Sequence, residues 1–449
     1  MRLNRQILRL ALPSILANIT VALVGMVDMA VVGHLDGSDG IPVATLLGGI
    51  AIGTTLFDLV YWCFGFLRAG TGGLTAQALG RGDAHASAEA LCRALYIALG
   101  AGAALILLQW LILQGAFLFI KCSPEVRYLA ERYFMIRIWA APATLSLFAL
   151  KGWFIGMQDS VHPMETDLIV NGVNIAGSIL LCFGLPGIAG MGFDGVALGT
   201  VIAQWSGLAF ALAMVVRHHR ATFAGYNFRE VFKGSLRPYF AMNRDLFIRS
   251  LGFIAVYIGF TVISARYGDT MLAVSSIMMK LLMIFSYFTD GFAYAGEALA
   301  GRFIGEKSRE GLRCTVRTLF KWCTGLSLLF IAVYWSLGTP LLRMMTSDEA
   351  VVEAGREFLP WLLAMPLIGC PAFLWDGIYM GATASRELRN ATVLCAVGFF
   401  AAWFVGIGVA GGAASEQTAI HILMLAYFVH LAIRTVYLSL HYRSLECRV

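Results

Sequence analysis

The sequence predicts an all-α integral membrane protein, with twelve transmembrane helices in two six-helix lobes related by pseudo-twofold symmetry. Three observations predict this fold: an apolar composition, apolar segments of membrane-spanning length, and motifs that recur in both halves of the chain. Of the 449 residues, 59% are hydrophobic and only 13% are charged. A soluble protein has roughly 45–50% apolar and about 25% charged residues. So few charges cannot cover a globule in water, and the chain therefore needs lipid.

The apolar segments have the length of membrane-spanning helices, which need about 20 mainly apolar residues. The first segment is too long for the core of a signal peptide, so we expect it to remain as a helix. Twelve segments qualify, at 8–33, 43–70, 87–119, 126–156, 162–184, 191–216, 243–265, 270–298, 313–337, 349–381, 390–411 and 416–440.

The basic residues predict the topology. Most of the 33 Lys and Arg residues fall in every second segment between the spans, beginning with the N-terminus. Cytoplasmic loops carry such an excess, so we expect a multi-pass plasma-membrane protein with both termini in the cytoplasm. The net charge of +6 is spread over these loops and forms no single basic surface, which argues against a nucleic-acid partner.

Two motifs occur in both halves. Residues 65–71, GFLRAGT, resemble residues 291–297, GFAYAGE, and residues 151–156, KGWFIG, resemble residues 376–381, DGIYMG. Six helices per repeat make the halves parallel, as in transporters whose substrate site lies between two lobes. We therefore predict an N-terminal lobe at 1–216, a basic cytoplasmic linker at 217–242 and a C-terminal lobe at 243–449.

Ionisable residues inside the predicted spans are candidate functional groups, because a charge in lipid is costly unless it faces a partner or water. Asp28, in the first span, is the leading candidate for a carboxyl group that alternates between protonated and ionised forms. The alternative is a carboxylate hydrogen-bonded near the outer surface. Two further alternatives concern the other embedded charges. They can pair internally, as Asp58 with Lys151, and Glu297 has an interfacial position as its alternative. The remaining candidates are Asp58, Lys151, Lys280, Asp290, Glu297 and Asp376.

Three polar residues share one face of the fifth predicted span. Asn171, Asn174 and Ser178 follow one another at helical spacing. Such a face can coordinate a cation or accept hydrogen bonds from Asp28. Joining neighbouring helices is the commoner use of such residues.

These motifs resemble those of the multidrug and toxic compound extrusion (MATE) family, and the resemblance runs from the first span through the eleventh. It rests on VDMAVVGHL at 27–35, FLRAGTGGLTAQA at 66–78 and GWFIGMQ at 152–158. The DinF-like branch of the family is indicated by DGFAYAGEALAG at 290–301 and WDGIYMGAT at 375–383.

The resemblance implies two six-helix lobes around a central cleft, and drug export in exchange for protons or sodium ions. It implies that Asp28 is central to ion coupling. The family often carries Asn-x-x-x-Asp in its fifth helix, whereas Ser178 follows Asn174 here. That departure favours protons over sodium at this site. Asp376 matches an acidic position that helps to bind a cation in the sodium-coupled branch.

We therefore predict a proton-coupled antiporter, with sodium as the other candidate ion, that exports hydrophobic cationic small molecules by alternating access. It is expected to act as a monomer in the lipid bilayer, by resemblance the bacterial inner membrane, without a cofactor or enzymatic activity. One alternative is a lipid-linked precursor flippase of the same superfamily, which favours a basic cavity. The other is an integral membrane enzyme, although the sequence has neither H-E-x-x-H nor G-x-S-x-G.

Overall fold

A computed structural model of the protein describes residues 2–35, 42–185, 188–227, 231, 237–346, 348–411 and 415–448. Much of the predicted linker, at 228–230 and 232–236, lies outside these residues. In the first half, the helices are α1 (Arg2–Gly33), α2 (Val43–Cys63), α3 (Phe66–Arg81), α4 (Ala84–Leu107), α5 (Gln109–Phe119), α6 (Pro124–Arg137), α7 (Ala141–Gly156), α8 (Val161–Phe183) and α9 (Phe193–His218). Two short strands, β1 (Gly184–Leu185) and β2 (Ile188–Ala189), pair antiparallel between α8 and α9.

The second half is also helical throughout its described residues. Its helices are α10 (Arg237–Ser264), α11 (Asp269–Gly305), α12 (Arg309–Met345), α13 (Glu349–Arg356), α14 (Leu359–Gly381), α15 (Ser385–Val409), α16 (Glu416–Leu440) and α17 (Tyr442–Glu446).

The helices confirm the predicted membrane architecture. Within the described residues, 11 helical stretches are long and apolar enough to cross a membrane. Some of them comprise two helices separated by a short break, as with α2 and α3 or α6 and α7. The 32-residue helix α1 is also long enough to span a bilayer. With α1 included, the count agrees with the twelve predicted spans.

The chain divides into two compact units, here called the N-unit (Leu16–Ser235) and the C-unit (Met1–Ile15 with Leu236–Val449). The division falls within α1, just after Pro13. The start of α1 belongs to the C-unit because Ala11 and Ile15 lie against Gly291 of α11. Trp322 of α12 also donates a hydrogen bond from Nε1 to Asn4 Oδ1, at 3.2 Å. The predicted lobes, by contrast, assigned all of α1 to the N-terminal half.

The recurring motifs pack against each other inside each unit. Helix α3 packs on α7 in the N-unit, and α11 packs on α14 in the C-unit. Gly152 lies directly against the carbonyl oxygen of Arg68, and Gly377 lies in the same way against that of Ala293. Small residues allow membrane helices to approach this closely. The repeated glycines therefore preserve one helix–helix contact that occurs in both halves.

These contacts also establish the register of the repeat. Gly152 and Gly377 are 225 residues apart, as are their partners Arg68 and Ala293. The alignment of residues 65–71 with 291–297 implies an offset of 226. That alignment is wrong by one residue, because it matched the glycines of the two motifs. The equivalent positions are Arg68 and Ala293, whose carbonyl groups contact Gly152 and Gly377.

The glycine contact gives a testable prediction. We expect Gly377→Ala to lower the Tm of the purified protein, because the added methyl group would overlap the Ala293 carbonyl group. Overpacking of this kind costs about 1–3 kcal/mol. The matched control is Gly408→Ala in α15, where no atom lies close to an added methyl group. Equal Tm values for the two variants would show that α11 and α14 do not require this close approach.

Candidate functional site

Asp28 on α1 contacts the polar face of α8 within the N-unit. The Ser178 hydroxyl group donates a hydrogen bond to Asp28 Oδ1, at 3.1 Å. Ser178 is fully buried, and Asp28 is half-buried. The predicted proximity of these two residues is therefore observed. Since the hydroxyl group is neutral, the contact contains a single titratable carboxyl group.

Asn171 and Asn174 lie on the same face of α8 and are both buried. Asn174, whose side chain is 3% exposed, donates from Nδ2 to Thr200 Oγ1 of α9, at 2.9 Å. Asn171 Nδ2 and Asn174 Oδ1 have no hydrogen-bond partner among the described residues. Asn174 therefore joins α8 to α9, and the face retains both a donor and an acceptor that are unused.

A basic residue that the sequence analysis did not select, Arg137, lies beside the acids of the N-unit. Its positive charge acts on both Asp28 and Asp58. The guanidinium group lies 4.8 Å from the Phe57 ring centroid, and Nη1 donates to the Tyr133 hydroxyl group at 3.1 Å. In the part of the chain that the structure describes, no ion pair joins Arg137 to either carboxylate. Arg137 thus biases the site electrostatically without clamping it.

Arg137 was detectable from the sequence. It lies inside the predicted span at 126–156, where a charge is a functional candidate.

The suggested pairing of Asp58 with Lys151 is wrong. Lys151 of α7 forms an ion pair with Asp167 of α8, and Asp167 is buried. Asp58 is exposed on α2, and the described residues place no basic group within ion-pair distance of it. Asp167 lies inside the predicted span at 162–184, so its charge was detectable from the sequence. Lys151 therefore joins α7 to α8 and does not neutralise Asp58.

Breaking this ion pair gives a second prediction. Lys151→Met would leave the buried Asp167 carboxylate without its cation, and we expect a stability loss of roughly 1–3 kcal/mol. The measurement is the Tm of the purified variant. The double variant, Lys151→Met with Asp167→Asn, is compared with the two single variants. Residues that interact give a loss of stability in the double variant that differs from the sum of the single losses. Additive losses in the double variant would contradict the pairing.

Asp376 of α14 lies between two arginines in the C-unit. Asp376 Oδ2 accepts from Arg249 Nη2 at 2.8 Å and from Arg434 Nη1 at 3.1 Å. Both guanidinium groups lie over the Phe253 ring, 4.6 and 5.1 Å from its centroid. The three charged groups sum to +1. This arrangement argues against the predicted role of Asp376 as a cation ligand, because a cation would meet two guanidinium groups.

Neither arginine was identified from the sequence, although both lie inside predicted spans, at 243–265 and 416–440. Arg434 is only 2% exposed, which is the burial expected of a residue inside the helix bundle.

The other candidates of the C-unit are distributed along α11. Glu297 is fully buried within the protein. Lys280 is exposed and forms no ion pair within the described ranges. Ten residues of helix separate it from Asp290, which corresponds to about 15 Å. Lys280 and Asp290 therefore do not form one site.

Membrane-spanning helices with ionisable groups held inside each unit define a polytopic membrane transporter. The family model described as MatE matches residues 13–180 and 246–402, one segment in each half. The chain therefore belongs to the MATE family, and the resemblance inferred from its motifs is confirmed. Members of this family are transporters, which removes the membrane-enzyme alternative.

Individual relatives agree with this assignment. The chain is 36% identical to DNA damage-inducible protein F of Escherichia coli over 397 residues, which cover 88% of this chain and 84% of the relative. It is 24% identical to the probable multidrug resistance protein NorM of Pseudomonas putida over 412 residues, 90% of this chain and 86% of the relative. A crystal structure of MATE in the bent conformation matches with a TM-score of 0.85 at 15% identity, covering 99% of this chain and 96% of that one.

Proposed function

We propose that this transporter is a proton-coupled antiporter that exports hydrophobic cationic small molecules by alternating access. The contact between Asp28 and Ser178 carries this proposal, because it joins a titratable carboxyl group on α1 to the buried polar face of α8. The similarity to a protein named for multidrug resistance supports small-molecule export.

The coupling follows from the charge of one carboxyl group. Ionised Asp28 accepts the hydrogen bond from Ser178 and attracts a cationic substrate. Protonated Asp28 has lost that attraction, so substrate leaves and the contact between α1 and α8 can repack. A ligand shifts a conformational equilibrium only through its different affinities for the two states. Proton and substrate compete for Asp28, and antiport is the result.

The surroundings of Asp28 favour a proton over sodium. A sodium site would draw on several oxygen ligands and excess negative charge. Here the neutral Ser178 hydroxyl group is the hydrogen-bond partner, and the Arg137 charge acts on the same carboxylate. A proton, by contrast, binds to the carboxyl group alone and needs no further ligand.

Reconstituted protein would test the coupling ion. We expect proteoliposomes to move a hydrophobic cationic dye when a pH gradient is imposed at equal sodium concentrations. A sodium gradient at equal pH should leave transport at the level of protein-free vesicles. Transport driven by sodium alone would contradict proton coupling.

A lipid-linked precursor flippase is the second candidate, and Arg249 with Arg434 is the observation that favours it. The net positive charge of this cluster in the C-unit suits an anionic headgroup better than a cationic drug. Movement of a fluorescent pyrophosphate-linked lipid between leaflets, with no dye export, would support the flippase over the antiporter.

The proposal also covers the cellular location, the topology and the oligomeric state. We propose a plasma-membrane protein with both termini in the cytoplasm, working as a monomer with its lobes at 1–216 and 243–449. Accessibility of the exposed Cys447 thiol to an impermeant reagent in intact cells would test the orientation. Labelling of Cys447 from outside the cell would contradict it.

A further inference from the structure

Three side chains that the transport proposal does not use meet at one end of α7, α8 and α9. Asp159 follows α7, His162 lies in the first turn of α8, and His219 is the C-cap of α9. One ligand atom from each residue lies within 4.8 Å of the other two. All three residues are half-buried. Because they come from three segments, their meeting depends on the packing of the N-unit.

The backbone holds Asp159 in position. Gln158 has a φ of 60°, which turns the chain after α7. Asp159 Oδ1 then accepts from the backbone N–H groups of Val161 and His162, at 3.1 and 3.2 Å. The other oxygen, Oδ2, is left for the imidazole groups and contacts both His162 Nδ1 and His219 Nε2.

Aromatic rings hold the two imidazole groups. The His162 ring stacks on Phe154, with centroids 5.5 Å apart. The His219 ring packs edge-on against Trp153, at 5.0 Å. Supporting contacts of this kind orient the ligands of a metal site. The cluster thus has a carboxylate oriented by the backbone and two imidazole groups oriented by packing.

We propose that Asp159, His162 and His219 form a binding site for a divalent transition metal of the zinc class. Two imidazole nitrogens and one carboxylate oxygen are a known ligand set for zinc, with a fourth position left for water. Ligands 2.0–2.1 Å from a tetrahedral ion lie about 3.3 Å from one another. His219 Nε2 is 3.4 Å from Asp159 Oδ2, close to that separation, whereas His162 Nδ1 lies closer to Oδ2 and would move away to admit an ion.

Asp159 can act as a ligand through Oδ2, because Oδ1 is already used by the two backbone N–H groups. A bound ion would join α9 to the start of α8, the helix that carries Ser178.

Metal titration of the full-length protein would test the site. The purified protein, freed of any polyhistidine tag and treated with EDTA, is titrated with Co²⁺ and separately with Zn²⁺. We expect one Co²⁺ per chain with the visible absorption of a tetrahedral site, and a higher Tm with Zn²⁺. The absence of both effects would overturn the proposal and leave the cluster as a hydrogen-bonded group.

Variants distinguish this site from binding by cysteines, of which the chain has 9. His162→Ala and His219→Ala should each weaken metal binding by about 100-fold or more, since even an outer-shell partner is worth 10–100-fold. His218→Ala is the matched control and should bind normally, although its ring lies 4.7 Å from that of His162. His219→Cys should retain binding, because a thiolate is also a zinc ligand. Unchanged binding in both alanine variants would assign the metal to other residues and overturn the proposal.

Discussion

Asp28→Asn is expected to abolish proton-driven export without unfolding the protein. Asparagine has nearly the same size as aspartate, and its amide oxygen can still accept the hydrogen bond from Ser178. It cannot exchange a proton, so the coupling free energy should be lost. Coupling free energies between two ligands commonly correspond to changes of about 5–150-fold in affinity. We therefore expect proton-driven export in proteoliposomes to fall by about 5-fold or more.

The control for this experiment is Glu353→Gln, which removes an exposed carboxylate on α13. It should express and transport like the unaltered protein. The Tm of purified Asp28→Asn would then separate loss of coupling from loss of folding. Export by well-folded Asp28→Asn at the unaltered rate would assign coupling to another residue.

Asp376→Asn is expected to cause the largest loss of stability. The substitution removes the carboxylate that Arg249 and Arg434 share and leaves two guanidinium groups uncompensated. Removal of one partner from a buried charged cluster costs about 3–5 kcal/mol. We expect a low yield of folded protein and a much lower Tm.

Arg434→Met provides the comparison for Asp376→Asn. It removes one of the two arginines and leaves Arg249 paired with Asp376, so the cluster becomes neutral. The loss of Tm should therefore be smaller than for Asp376→Asn. The reverse order, or an unchanged Tm for Asp376→Asn, would show that the carboxylate is not what offsets the two positive charges.

The architecture could be predicted from the sequence because its causes are local along the chain. Each span is a continuous apolar segment, and lipid requires the backbone of such a segment to bond within its own helix. Composition and segment length therefore determined the all-helical membrane fold and the number of spans. Motifs such as VDMAVVGHL around Asp28 also identified the family.

The candidate site followed from the sequence only in part. Asp28 was selected because a carboxylate is rare inside a span, and its approach to Ser178 was one of the interpretations of the polar face of the fifth predicted span. Arg137 lay inside a predicted span, but its effect on Asp28 and Asp58 depends on how separate helices pack. The distance between two side chains on different helices cannot be obtained from hydropathy.

Three features of this protein were readable from its sequence: the segments that cross the membrane, the family, and the residue types inside the spans. The partners of those residues were not: Lys151 pairs with Asp167, Asp376 with two arginines, and Asp159 with two histidines. A helix forms from contacts within a few residues, whereas these pairs depend on how separate helices rotate and pack. Arg249 and Asp376, which are 127 residues apart in sequence, meet only because α10 and α14 belong to one folded unit.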